Sequence, residues 1–150
     1  ITSGSDSKEY PSQFIVQLTK KRSESPADKD LILFSSPQEE SIAEIKPGEA
    51  SMVAMKMNPY PANMADVFDK SYFFYGGSLF VYYYPNFPLD AWDVSGVELK
   101  LVFEDQFSVT STEQIRFHTV NKRLTRDLPV LELRYTKAFE ADAVTQRPLN

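Results

Sequence analysis

Segments of alternating apolar and polar residues recur along the chain and predict the strands of a β-sheet. The clearest runs over residues 97–103, where every second side chain is apolar and the residues between them include Glu98 and Lys100. A period of two matches a strand, and one polar face indicates an antiparallel strand that is exposed on one side. Similar patterns predict further strands at residues 14–19, 31–34, 51–57, 107–110, 115–120 and 130–137.

Turn-forming residues separate the predicted strands. Pro47 and Gly48 suit a type II turn, because proline presets φ and glycine accepts a positive φ. The charged segment 20–30 is almost wholly polar and predicts a solvated loop. One short helix is predicted over residues 64–70, with Asn63 as its N-cap.

The number and spacing of these elements indicate an all-β protein. Eight to ten short strands with at most one short helix are typical of an antiparallel β-sandwich, Ig-like or transthyretin-like, or of a jelly roll. A chain of 150 residues fits one domain, which we predict over residues 14–139. Residues 1–13 are rich in Ser, Asp and Gly and predict a flexible leader, and residues 140–150 predict a polar tail.

Charge and composition narrow the function classes. The chain has 16 basic and 21 acidic residues, and its net charge of −5 argues against non-specific binding to nucleic acid. The absence of cysteine excludes disulfides, thiol catalysis and cysteine-ligated zinc. No apolar run in the sequence approaches the roughly 18 residues of a membrane-spanning helix.

The leader bears on the expected location. A Ser-rich segment such as residues 1–13 is typical of the region after a cleaved signal or lipid-anchor sequence, and also of a cloning remnant. We therefore expect an extracytoplasmic protein, whether periplasmic, on the cell surface or secreted. A lipid anchor upstream of Ile1 is one form of that expectation.

Aromatic residues concentrate in one part of the chain. Ten of the 20 lie within residues 72–92, on both sides of the Gly76-Gly77 pair. This pair predicts a two-residue hairpin turn in which Tyr75 faces Ser78. Both faces of such a hairpin are apolar, so we expect it at the centre of the sheet, covered on both sides.

The end of this stretch is the best candidate for a binding site. Pro85 and Pro88 exclude regular strand pairing and predict an irregular loop. The composition of the loop suits a stacking surface for a sugar ring as well as a hot spot for a protein partner, with burial of the tryptophan in the core as the alternative. The predicted binding residues are Tyr82, Tyr84, Asn86, Phe87, Asp90, Trp92 and Asp93.

Two basic loops form a second candidate site. If the two loops lie at the same end of the sandwich, they create a local anion-binding patch despite the acidic total, and otherwise they are ordinary solvated loops. The residues of this predicted patch are Lys20, Lys21, Arg22, Lys122, Arg123 and Arg126.

No catalytic or metal-binding motif is present in the sequence. His118 is the only histidine, and no Gly-x-Ser-x-Gly elbow accompanies it. The carboxylate pairs have no spacing specific to a glycosidase or a calcium loop, and Asp90 with Asp93 is the first pair to test for calcium. We therefore predict no enzyme, no metal and no cofactor. The other carboxylate pairs are Asp66 with Asp69 and Glu104 with Asp105.

These observations favour a non-catalytic binding or assembly module. The leading hypothesis is protein–protein interaction in an extracytoplasmic or surface complex, with a second copy of the chain as one such partner. One alternative is a carbohydrate-binding module that uses residues 84–93. The other is a structural virion or tail protein.

Overall fold

The fold consists of two antiparallel β-sheets that pack face to face. The computed structural model describes residues 1–25, 27–37, 43–57, 73–105 and 107–150, and these contain ten strands and no α-helix. The strands are β1 (Thr2–Ser3), β2 (Gln13–Lys20), β3 (Leu31–Ser35), β4 (Lys56–Met57), β5 (Gly77–Tyr84), β6 (Trp92–Glu104), β7 (Thr110–Phe117), β8 (Lys122–Leu124), β9 (Val130–Tyr135) and β10 (Ala141–Arg147).

The larger sheet has six strands in the order β10-β9-β5-β2-β3-β4. Its central strand, β5, pairs with β2 along its whole length and with β9 over residues 77–82. The smaller sheet has four strands and is built around the long β6. On one side β6 pairs with β8 and β7, and on the other side it pairs with β1.

The apolar core lies between the two sheets and explains the sequence pattern. In β2 the buried positions are Phe14, Val16 and Leu18, and the residues between them are partly exposed. In β6 the same alternation buries Val97, Leu99 and Leu101. The predicted all-β, two-sheet sandwich-type fold is thereby confirmed. The predicted helix over residues 64–70 lies outside the described residues.

The predicted aromatic hairpin is wrong. Residues 73–75 form a turn rather than a strand, and the amide of Gly76 donates to the carbonyl of Phe73 at 2.8 Å. The chain then enters β5, whose partners are β2 and β9. A Cβ on Gly77 would lie 2.1 Å from the carbonyl oxygen of Thr19, so this glycine permits a close approach between neighbouring strands. Tyr72 lies outside the described residues.

The N-terminal segment belongs to the sandwich, which corrects the prediction of a flexible leader. Strand β1 pairs with β6, and Ser3, Lys8 and Ser12 are buried. The hydroxyl of Ser3 donates to the carbonyl of Ile45 and accepts from the indole N–H of Trp92. Short polar side chains are buried here by hydrogen bonding, which leaves no apolar period in the sequence.

The predicted polar tail is also part of the fold. Strand β10 pairs with β9 at the edge of the larger sheet, and Val144 packs against the core. The Arg147 guanidinium lies 5.6 Å from the ring centre of Phe80 on the outer face of that sheet. The described part of the chain contains no helix that is long and apolar enough to cross a membrane.

Candidate functional site

The loops of the sandwich gather at two ends. Strand pairing brings together residues 4–12, 85–91, 125–129 and 148–150, which we name the Phe87 end. The opposite end, which we name the Phe74 end, is formed by the described parts of residues 21–30, 73–76, 105–109 and 136–140.

The Phe87 end exposes apolar side chains from four separate segments of the chain. Phe87 is 61% exposed and Leu89 is 96% exposed, both in the loop between β5 and β6. Further exposed apolar residues at this end are Tyr10, Tyr84, Leu128 and Leu149. Since large exposed apolar side chains are gathered here from distant parts of the sequence, this end is the candidate interaction surface.

A hydrogen-bond network centred on Asp90 fixes the loop that carries Phe87. The Asp90 carboxylate accepts from the hydroxyl of Ser12 at 3.1 Å and from the amide of Phe87 at 3.2 Å. The same Ser12 hydroxyl accepts from the amide of Asn86 at 2.9 Å. The loop is therefore tied both to itself and to the segment before β2, which holds the exposed ring in place.

Trp92 does not belong to this surface. Its side chain is fully buried, and its ring centre lies 5.0 Å from that of Phe14 and 5.8 Å from that of Tyr83. The indole N–H donates to the Ser3 hydroxyl at 2.8 Å. This placement corrects the prediction of Trp92 as a binding residue and supports its alternative, a tryptophan in the core.

The other predicted binding residues are divided by the fold. Tyr84 is partly exposed at the Phe87 end, whereas Tyr82 is half-buried on the outer face of the larger sheet, stacked on Phe80 at 5.8 Å. Burial raises the pKa of Tyr82. The side chain of Asp93 is engaged within the molecule, because it accepts from Ser5 at 2.6 Å and pairs with Arg123 at 3.1 Å.

The two basic loops do not form one patch. Lys20 ends β2 at the Phe74 end, where the amide of Lys21 donates to the carbonyl of Gly76. Strand β8 instead leads to the Phe87 end, so its loop lies on the opposite side of the molecule. Burial, together with the charge of Arg22, lowers the pKa of Lys20. The prediction of a single anion patch is therefore wrong. Lys20, Lys21 and Arg22 lie at one end of the sandwich, and the other basic loop, with Lys122, Arg123 and Arg126, leads to the opposite end.

Arg123 is engaged in ion pairs rather than open to an anion. Its guanidinium lies 2.9 Å from a carboxylate oxygen of Asp6 and 3.1 Å from one of Asp93. Asp90 and Asp93 thus bind different partners, and within the described ranges no three His, Asp or Glu side chains converge on a point that could hold a metal ion. The pair Asp66 and Asp69 lies outside those ranges.

The remaining chemical candidates have structural surroundings of their own. His118 is exposed in the turn after β7. The Asp105 carboxylate accepts from the amides of Phe107 and Val109 and organises the turn between β6 and β7, while Glu104 ends β6 with an exposed side chain. None of these placements resembles a nucleophile with its base.

Sequence reasoning missed several residues of the Phe87 end. Tyr10 lies in the predicted leader, Leu149 in the predicted tail, and Leu128 in a loop that was assigned only to the anion patch. Their sole signal in the sequence is an apolar side chain in a polar segment, which is common on protein surfaces. Only the strand order brings them beside Phe87.

The fold and the site define an all-β sandwich with an exposed apolar end. Comparison with known proteins found no matching family model, no similar curated protein and no similar solved structure. The function proposed below therefore rests on the geometry of the chain itself.

Proposed function

We propose that the chain is a non-catalytic module that binds a partner protein through the Phe87 end. The observation that carries the proposal is the presence of exposed apolar side chains from four segments at one end of the sandwich, among which Phe87 and Leu89 share the loop between β5 and β6. Aromatic side chains are enriched among the residues that dominate protein–protein binding energy. An exposed apolar patch on a soluble domain is a common sign of such a surface.

The fixed conformation of the loop supports this assignment. Asp90 and Ser12 hold residues 86–90 through four hydrogen bonds, two from the loop's own amides to side chains, one between the two side chains and one within the backbone. A loop that is already ordered loses less conformational entropy on binding. Charged residues of the same end provide candidates for the polar rim expected of an interface, among them Asp6, Glu9, Arg123, Arg126 and Asp127.

The proposal includes an extracytoplasmic or surface complex as the setting. Its support is only the Ser-rich composition of residues 1–13, which belong to the sandwich rather than to a leader. The carbohydrate-binding alternative is weakened, because Trp92, its strongest stacking residue, is buried. Assembly of copies of this chain into a larger structure, as in a virion or tail, uses the same apolar end with a second copy as the partner.

A pair of matched double variants tests the proposal. Immobilised wild-type protein captures partners from native extract, and the variant Phe87→Ser with Leu89→Ser should lose the captured protein by about 30-fold, as expected when about 2 kcal/mol of hot-spot energy is removed. The control is Phe107→Ser with Val109→Ser, which removes two exposed apolar side chains at the Phe74 end. The control should capture as the wild type does.

Equal capture by both variants, with unchanged circular dichroism, would overturn the proposal. Two further measurements address the alternatives. Binding to a glycan on an array, lost in the Phe87 variant, would favour carbohydrate recognition. An apparent molar mass from light scattering that increases with concentration in the wild type, but not in the Phe87 variant, would identify a second copy of the chain as the partner.

A further inference from the structure

A groove continues the line of β1 along the edge of β6. Strand β1 is only two residues long and pairs Thr2 with Gly96 and Ser3 with Val94. On the other side of β6, β7 continues the pairing as far as Glu104. Beyond Gly96, no strand in the described part of the chain pairs with the β1 side of β6, so this edge offers backbone groups for a further strand.

The second wall of the groove is the segment over residues 51–55, which lines the cavity. It follows Ala50, which bridges Thr2 on the side of β1 that faces away from β6. The burial of residues 51–55 alternates, with Val53 and Met55 packed against the core and Met52 exposed. In the structure as described, no backbone hydrogen bond joins residues 52–55 to a neighbouring strand.

Strand β1 shows how a chain fits between these walls. The amide of Ser3 donates to the carbonyl of Glu49 at 2.9 Å, and the amide of Ser51 donates to the carbonyl of Ile1 at 2.8 Å. On its other side β1 pairs with β6. The same channel, continued along residues 97–100 of β6, has residues 51–55 as its second wall but no described strand between them.

The cavity at this edge has a volume of about 820 Å³ and is lined by Ile1 and Thr2, by residues 50–55, by residues 95–100 of β6 and by part of β7 and the turn after it. Its volume lies in the range of pockets that hold ligands of a few residues. Residues 97–100 span about 14 Å at the rise of an antiparallel strand, which is enough for four residues of a partner. The floor is formed by Val16 and Leu79 of the larger sheet and by Val97 and Leu99 of β6, and Val53 and Met55 line the second wall.

Charge on the outer side of the groove gives the occupant a chemical preference. Glu98 is already neutralised by Arg116 at 3.5 Å and also accepts from Gln114. Lys100 is exposed on the same face of β6, and no described residue forms an ion pair with it. A carboxylate on an added strand, opposite Lys100, would form a favourable cross-strand pair.

We propose that this groove binds an extended segment of a partner protein as an added strand, antiparallel to β6 and in line with β1. Its apolar residues point to the floor, its polar residues point outward, and an acidic residue lies opposite Lys100. Main-chain hydrogen bonds to β6 provide affinity, and the alternating pockets provide specificity. The site is separate from the Phe87 end and does not depend on the function proposed there.

A synthetic peptide tests the groove directly. The probe is a fluorescein-labelled heptapeptide, blocked at both termini, that alternates valine with threonine and has glutamate at its centre. Binding is followed by fluorescence anisotropy, and hydrogen exchange of the β6 amides is followed by NMR. We expect the peptide to slow the exchange of alternate amides within residues 97–102. The double variant Phe87→Ser with Leu89→Ser should bind the peptide as the wild type does.

A charge swap tests the role of Lys100. The variant Lys100→Glu should bind the glutamate peptide about fivefold more weakly and should prefer a peptide with lysine at its centre, as expected for a cross-strand ion pair. The control Lys29→Glu makes the same charge change in the distant loop after β2 and should leave both affinities unchanged. A peptide that is N-methylated at alternate valines should not bind, because it lacks the donors for strand pairing.

Three results would overturn the proposal. The first is unchanged exchange of the β6 amides at saturating peptide. The second is equal binding of the N-methylated peptide, which would indicate a merely apolar pocket. The third is slowed exchange of the same amides without peptide, together with a dimer in analytical ultracentrifugation, which would assign the groove to a second copy of the chain.

Discussion

Both ends of the sandwich are closed by buried aromatic clusters, but the exposed rings of Phe74 and Phe87 differ in their surroundings. At the Phe87 end Trp92 packs against Phe14 and Tyr83. At the Phe74 end Phe73 occupies the equivalent position, and its ring centre lies 5.4 Å from Phe139, 6.0 Å from Phe103 and 6.3 Å from Tyr135. The two clusters are therefore alike in kind.

The difference concerns one exposed ring at each end, Phe74 and Phe87, whereas Phe107 at the Phe74 end is 77% exposed and resembles Phe87. At the Phe74 end the ring of Phe74 contacts Tyr75 edge-on at 4.9 Å and lies 5.3 Å from the ammonium of Lys137. At the Phe87 end, no aromatic or cationic group among the described residues contacts the ring of Phe87. Exposure alone thus does not identify a binding residue, because a ring whose face is already in contact has less to offer a partner.

The largest expected effect separates Trp92 from Phe87. Trp92→Ala should lower the free energy of unfolding by about 3–5 kcal/mol, because it leaves a cavity in the core and removes the donor to Ser3. Phe87→Ala should change it by less than about 0.5 kcal/mol, since the ring is exposed. Urea denaturation followed by circular dichroism measures both. Similar losses in the two variants would refute the division between core and surface.

The sequence shows why Trp92 was assigned to the wrong side of that division. The alternation over residues 97–103 was clear, but the pattern from Trp92 to Val94 changes phase at Ser95 and Gly96, where the pairing of β6 passes from β8 to β7. Two prolines shortly before Trp92 also favoured a loop. A strand that exchanges its partner midway loses its strict period, so sequence alternation alone located only the second half of β6.

Other parts of the fold depend on contacts that no local pattern contains. The two sheets were predictable, because β2, β6 and β9 each have an apolar face. The burial of Ser3 was not predictable, since it rests on bonds to Ile45 and Trp92, which lie 42 and 89 residues away in the chain. Of the Phe87 end, only the loop between β5 and β6 was predicted from the sequence. Tyr10, Leu128 and Leu149 lie at this end because of the strand order, which no local pattern contains.

The next largest effect is the change of folding stability with pH, to which a buried group at each end contributes. Lys8, in the segment that crosses the Phe87 end, is fully buried, and its ammonium donates to the carbonyl of Ala43 at 2.8 Å. Burial lowers its pKa from 10.5 to about 8. Between these values the unfolded chain holds a proton that the folded chain has released. Stability should therefore rise with pH from about 8 to about 10.5, by up to about 3 kcal/mol.

The variant Lys8→Met isolates this contribution. It should be more stable than the wild type near pH 7 and should lose most of the rise, leaving a smaller one from Lys20, whose pKa is also lowered by burial. Above about pH 10 the sign reverses, because burial raises the pKa of Tyr135 at the Phe74 end, and the unfolded chain then ionises more readily. Urea midpoints at several pH values measure both trends. An unchanged rise in Lys8→Met would assign it to other groups.

The smallest effect compares a buried tyrosine hydroxyl at each end. Tyr135, at the Phe74 end, donates to the carbonyl of Thr19 at 2.5 Å, whereas the buried hydroxyl of Tyr83, at the Phe87 end, lies near the Ser12 side chain but forms no hydrogen bond of regular geometry in the described structure. Tyr135→Phe should lower the free energy of unfolding by about 1 kcal/mol, because it removes a satisfied donor and leaves the Thr19 carbonyl with one bond fewer. Tyr83→Phe should leave stability unchanged or raise it by up to about 1 kcal/mol, since it removes a desolvated hydroxyl that forms no bond.

The two variants delete the same atom from similar aromatic clusters, so their difference reports hydrogen bonding alone. A loss in Tyr83→Phe as large as that in Tyr135→Phe would mean that the Phe87 end holds a partner for this hydroxyl, such as an ordered water molecule, and that the two ends are equally complete.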